Sequence, residues 1–225
     1  MTRALGLAAS LVVALSAGAT TSSDFSRRLA TLQAEQEARP ASPEVLFELG
    51  HLCHQQAITG DATAVRLAEQ YLSRLKKVAP TNAFGRALLG STLVMKARDA
   101  FLPTTKLRWV REGCAEIDAA VGQSPEDPQV RFTRASNNLF LPDLCGRKEI
   151  VRQDFEWLQA QTGQPVDFRQ HVALFHGIAL KKWGDPAAAM KCWSDGIALA
   201  TDSSVADQMR SALKATRKSS DASHP

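Results

Sequence analysis

The chain has 225 residues, enough for one well-packed domain or two small ones. Hydrophobic residues make up 44% and charged residues 22%, ordinary globular usage that excludes a wholly disordered chain. The formal net charge is +4, too small for the concentrated basic patch of a nucleic-acid-coating protein.

Met1-Thr2-Arg3 is a short basic opening, and Ala4 to Ala17 follows without a charge. Ala17-Gly18-Ala19 has the small-x-small pattern of a signal-peptidase site. Residues 1–19 are therefore expected to be a cleavable export signal, cut after Ala19, with the mature chain periplasmic or secreted. The apolar run is shorter than the roughly 20 residues of a membrane span, and no later stretch reaches that length. No Cys sits just after the run, so no lipoprotein attachment is expected.

Beyond the signal the periodicity is helical and no strand pattern stands out. Residues 20–41 hold one helix, about 24–39. Pairs follow: 43–57 with 62–78, 82–100 with 105–121, 128–140 with 147–161, and 167–182 with 186–200. A last helix, about 203–216, carries Val205, Met209 and Leu213 on one stripe, as suits an end cap over an open stack. Residues 217–225 are polar and are expected to be a disordered tail. Ser42-Pro43, Asp127-Pro128 and Asp185-Pro186 each place a capping oxygen before a Pro at the first helical turn. Pro80, Gly122, Gly163 and Gly184 fall where helical patterns stop.

The last pair is the most regular. Gly177, Leu180, Gly184, Ala189, Trp193 and Gly196 occupy spacings that resemble the small and large positions of the tetratricopeptide repeat, a helical hairpin of roughly 34 residues. Leu49-Gly50, Leu89-Gly90 and Ala135-Ser136 repeat the first-helix signature, with Ala68 and Gly113 as small partners on second helices. Small residues are needed where two helices cross, because larger ones hold the backbones apart. The resemblance covers residues 42–201, within a repeat domain of residues 42–216. It implies an all-α fold: a right-handed α-solenoid of about four hairpins with a flanking helix at each end. Only the last hairpin keeps the family's internal spacing, and the longer periods of the others also suit a HEAT-like array.

Two insertions share a pattern. Phe101-Leu102-Pro103 is followed by Lys106, Arg108 and Arg111, and Phe140-Leu141-Pro142 by Arg147, Lys148 and Arg152. The Phe-Leu pair is expected to tuck under each connection. The cations suit specific salt bridges or a basic rim for an acidic partner.

Cys53, Cys114, Cys145 and Cys192 form an even set without a C-x-x-C. Buried thiols and disulfides are both open readings. Cys145, beside Gly146-Arg147-Lys148, is a candidate reactive thiol. His51 and His54 share a helical face behind Glu48, a weak metal-site pattern, since di-iron bundles need the Glu-x-x-His motif twice. No phosphate loop, nucleophile elbow or H-E-x-x-H occurs. No cofactor or metal is implied, and catalysis through Cys145 or the His51/His54 face is the alternative to a non-enzymatic reading.

In peptide-binding members of the family the first helix of each hairpin lines a concave groove. Carried over by register, that resemblance selects His51 and His54 in the first hairpin, with Glu44, Phe47 and Gln55 beside them. It selects Phe84, Ser91 and Met95 in the second, Thr133, Asn137 and Phe140 in the third, and His171, Leu174, Ile178, Lys181 and Lys182 in the fourth. Such a groove would take a protein or peptide segment with apolar anchors and an acidic end. The Lys/Asn carboxylate clamp of chaperone-binding members is not reproduced. The implied role is an interaction scaffold of the bacterial cell envelope. The N-terminal helix is the competing occupant of that groove.

Overall fold

The computed structural model describes residues 22–221. The expected export signal, residues 1–19, lies outside them, as does the end of the expected tail, residues 222–225. Among the described residues there are ten α-helices and no strand. They are α1 (Ser22–Ala38), α2 (Pro43–Ile58), α3 (Ala62–Val78), α4 (Ala83–Asp99), α5 (Pro103–Gln123), α6 (Pro128–Leu139), α7 (Lys148–Ala160), α8 (Val166–Lys182), α9 (Pro186–Leu199) and α10 (Ser204–Asp221). No helix of the described residues is long and apolar enough to cross a membrane.

The helix starts follow from side-chain capping. The Asp127 carboxylate accepts from the backbone N–H of Gln129 at 2.8 Å, and Asp185 accepts from Ala188 at 2.9 Å. Ser42 Oγ accepts from Val45 at 3.4 Å. Each satisfies a donor the helix cannot pair internally, and the Pro that follows presets the first turn. Asp61 and Asn82 cap α3 and α4 in the same way, without the Pro.

Two ends differ from the sequence reading. α5 runs through Gly122 to Gln123, where that glycine was expected to stop it. α10 continues to Asp221, past Arg217, where a disordered tail was expected to begin. The buried stripe of α10 extends one turn beyond Leu213 to Thr216, whose hydroxyl donates back to the Ala212 carbonyl. A buried Thr does not register in an apolar periodicity count.

The chain forms two compact units, one ending at Phe140 and the other beginning at Leu141. The third expected pair is divided, with α6 in the first unit and α7 in the second.

In the first unit, Leu46, Leu49 and Cys53 of α2 pack with Ala68, Leu72 and Leu75 of α3, and Leu88 and Leu89 of α4 join them. Burying each such large side chain stabilises by about 1.5–3 kcal/mol. Phe25, Leu29 and Leu32 of α1 pack against this core, and Gln33 Nε2 donates to the Tyr71 hydroxyl at 3.1 Å. Across the α4–α5 crossing Gly90 meets Gly113, so the two backbones come close. Glu116 of α5 accepts from Lys76 of α3 at 2.6 Å and from Arg86 of α4 at 2.8 Å. Burial alone would raise its pKa, but the bonds and charges of those two cations outweigh burial and lower it.

In the second unit, Trp193 of α9 lies over Gly177 of α8, and its indole N–H donates to the Leu174 carbonyl at 3.0 Å. Phe155 of α7 stacks on His176 of α8 at 5.4 Å. The buried Gln170 ties three segments together. Its amide N–H groups donate to the carbonyls of Gly196 at 3.0 Å and Ala200 at 2.7 Å, and its oxygen accepts from the Ser203 hydroxyl at 2.7 Å.

The two Phe-Leu-Pro connections differ. Leu141 is buried, as expected of a residue tucked under the chain. Phe101 is 95% exposed and Leu102 56%, so the first pair does not tuck. α4 already ends at Asp99, and α5 restarts at Pro103 with too little chain between them to fold back.

Candidate partner-binding surfaces

The first helices of the first two hairpins, α2 and α4, lie side by side in the first unit. Phe47 and Phe84 face each other at 5.8 Å, and His51 sits 5.7 Å from Phe47 and 6.0 Å from Phe84. One turn on, His54 Nε2 and Ser91 Oγ share a 2.8 Å hydrogen bond. The residues assigned to one face by repeat register are therefore brought together. Gln55 is exposed and lies 3.3 Å from the His51 ring nitrogen. Phe47, His51 and Phe84 are half-buried.

Depth separates these residues. His54 and Ser91 are interior and satisfy one another rather than facing a partner. Met95 packs against Ala57, Ala64 and Val65, which removes most of it from the face. The remaining accessible strip is His51 and Gln55 above the Phe47–Phe84 pair. Helix α1 borders the same strip, since Phe25, Leu29 and Leu32 pack with the cluster that Phe47 and Phe84 join. Burial lowers the pKa of His51, Glu48 raises it, and Arg28 of α1 lowers it further. Burial pushes His54 down to about 3, with the neighbouring His51 acting in the same direction. Both rings are therefore neutral at pH 7.

On α6, Thr133 is buried with its hydroxyl donating to the Gln129 carbonyl, and Asn137 donates to the Thr133 carbonyl at 2.8 Å. Phe140, at the end of α6, is half-buried. On α8 of the second unit, Leu174 is buried while Ile178 and His171 are half-buried. The His171 ring nitrogen meets the Asp167 carbonyl at 2.8 Å. Lys181 is exposed. Lys182 reaches back to the Leu141 carbonyl at 3.3 Å and to Asp143 at 3.6 Å, so that cation braces the connection before α7.

A cleft without any signal in the sequence opens in the second unit, with a volume of about 270 Å³. Leu158 and Gln159 of α7 form one wall, Cys192 and Leu199 of α9 another, and Arg169 and Asp195 stand at the polar edge. Gln159 donates to the Cys192 sulfur at 3.0 Å. Burial pushes the Cys192 thiol up to about 11, so it stays protonated and is a poor nucleophile at neutral pH. Cys53 is likewise pushed up to about 12 by burial. No disulfide joins the four cysteines, all of which are among the described residues. Cys145 is half-buried in a 3-10 turn, Asp143–Cys145, and Lys148 beyond it lies over the Trp183 ring at 5.5 Å. Among the described residues no three of His, Cys, Asp and Glu come together as metal ligands, and the His54 ring nitrogen is already engaged by Ser91.

No protein-family model matches the sequence, and no curated protein matches it. A solved structure does: a thermophilic tetratricopeptide-repeat protein from Thermus thermophilus. It superposes with a TM-score of 0.70 at 14% identity, covering 85% of this chain and 91% of that one. Likeness at that identity establishes architecture rather than activity. The chain thus has a tetratricopeptide-repeat-like, all-helical fold.

Proposed function

We propose that the protein is a non-catalytic interaction scaffold that holds a segment of a partner protein against the face formed by α2 and α4. The observation that carries this reading is the accessible strip of His51 and Gln55 above the Phe47–Phe84 pair, built from two consecutive first helices. Its rings offer apolar contact, and its imidazole and amide offer donors and acceptors at the rim. Repeat folds of this kind expose such surfaces because each hairpin buries its own core against its neighbours. The setting of this activity is the bacterial cell envelope, a reading supported by the basic, apolar and small-residue sequence of residues 1–19. Burial of Cys192 and Cys53, and the mutual engagement of His54 and Ser91, weigh against thiol or metal chemistry at those positions.

The experiment is recovery of the protein from its native cells after mild crosslinking, beside a variant carrying His51→Ala and Gln55→Ala. Loss of a specific adduct in the variant supports the reading. An adduct recovered equally from both places the interface elsewhere.

A further inference from the structure

The α4–α5 connection leaves large apolar side chains in solvent. Phe101 is 95% exposed, Leu102 56% and Leu107 41%. Phe101 and Leu102 form the tip of the turn, and Leu107 follows one turn into α5 beside Pro103. Exposed large apolar groups grouped in this way mark contact sites rather than ordinary surface.

Their surroundings are cationic. Lys106 lies on the first turn of α5 and Arg111 on the third, and neither has a carboxylate partner among the described residues. Arg111 shares a helical face with Leu107, four residues before it. Arg108 lies over the Trp109 ring at 4.5 Å and 3.8 Å from Glu112, and Lys96 covers the same ring at 3.6 Å. Trp109 thus stands half-buried at the base of the tip, an apolar ring dressed with cations. Leu102 is the N-cap of α5 and makes no side-chain cap, so the amide N–H groups that follow Pro103 have no capping side chain.

We infer that the Phe101–Leu102 tip, with Lys106 and Arg111, docks the protein on an anionic lipid surface. Side chains this exposed on a turn of three residues suit a fluid surface that opens around them better than a preformed pocket. Phe and Leu enter the acyl boundary, while Lys, Arg and the helix N-terminus meet phosphate headgroups. This attachment is peripheral, in keeping with the lack of a spanning helix among the described residues. It does not depend on the α2–α4 face and survives if that reading fails.

The test is flotation of the protein with phosphatidylcholine vesicles, with and without phosphatidylglycerol. The wild type is compared with Phe101→Ser/Leu102→Ser and with Lys106→Ala/Arg111→Ala. All three share the same N-terminal residues, so any contribution from that segment cancels. The substituted side chains are exposed or lie at the surface, and a matched thermal midpoint verifies folding. The expected result is binding that needs phosphatidylglycerol, weakened about tenfold or more by the apolar pair. The cation pair should weaken it about fivefold per charge and remove most of its salt dependence. A Phe101→Trp variant should bind and have its added fluorescence quenched by brominated acyl chains. No binding to anionic vesicles overturns the proposal, as does binding indifferent to the Phe101/Leu102 change. Retention on soluble polyglutamate with the same dependence on both pairs overturns it too, because the partner would then be an acidic protein.

Discussion

Gly90 and Gly113 face each other across the α4–α5 crossing. A Cβ added to Gly90 would lie 2.5 Å from the Gly113 carbonyl oxygen, and one added to Gly113 would lie 2.6 Å from that of Gly90. Backbone oxygens cannot swing aside as a side chain can. Ala would gain about 1 kcal/mol in helix propensity at either position, but the overlap outweighs it. Gly90→Ala and Gly113→Ala should each cost about 1–3 kcal/mol in urea denaturation. Gly122, also inside α5, has nothing within 4 Å of an added Cβ. Gly122→Ala should therefore stabilise by about 0.5–1 kcal/mol. The opposite signs are the prediction, and equal effects at Gly90 and Gly122 would contradict the close crossing.

The second unit makes the same crossing with an aromatic ring. An added Cβ on Gly177 would overlap the Trp193 indole, whose N–H is already committed to the Leu174 carbonyl. Gly177→Leu should overpack this site and cost about 1–3 kcal/mol. An unchanged urea midpoint would count against the hairpin register.

Much of this architecture was legible because its causes are local. Ser42, Asp127 and Asp185 announce helix starts by chemistry that acts within three residues. Gly90, Gly113 and Gly177 announce crossings because only small residues fit there. The fate of Phe101 was not legible. Phe101-Leu102-Pro103 and Phe140-Leu141-Pro142 read alike, yet Leu141 is buried and Phe101 is in solvent. What decides is the length of chain before the next helix, since α5 restarts at Pro103 but α7 only at Lys148, and the shared Phe-Leu-Pro pattern does not announce that difference. Repeat register likewise carries no depth, so Ser91, His54 and Thr133 were all assigned to a binding face and lie in the interior.

Gln170 was missed for a similar reason. Its partners belong to α9, the following turn and the start of α10, and no spacing in the sequence links them. Gln170→Ala strands two carbonyls and removes a third bond in a buried place. The expected loss is about 2–3 kcal/mol. It should be accompanied by faster amide exchange in α10, because that helix loses its tie to α8. A variant with wild-type stability would show that these bonds contribute nothing.

His54 sets an acid dependence. Its folded pKa is pushed down to about 3 by burial, against about 6.5 when unfolded. Between those values the unfolded chain binds a proton that the folded one does not. The stability this neutral ring confers is therefore complete above about pH 6.5 and falls as pH drops toward 3. The slope contributed is at most about 1.4 kcal/mol per pH unit. His51 is also lowered and adds in the same direction. His54→Gln can keep a bond to Ser91 without titrating, so its stability should fall less between pH 7 and pH 5 than that of the wild type. Parallel curves for the two proteins would contradict the buried neutral ring.

That the α2–α4 face holds a partner segment is tested most directly by site-specific photo-crosslinking in native cells. A photoreactive residue is placed at Gln55, exposed beside His51, and in a second protein at Arg66, exposed on α3. The expected result is one discrete adduct from position 55, none from position 66, and loss of the adduct when His51→Ala is added. Adducts of equal yield from both positions, or from position 66 alone, would contradict a partner-binding α2–α4 face.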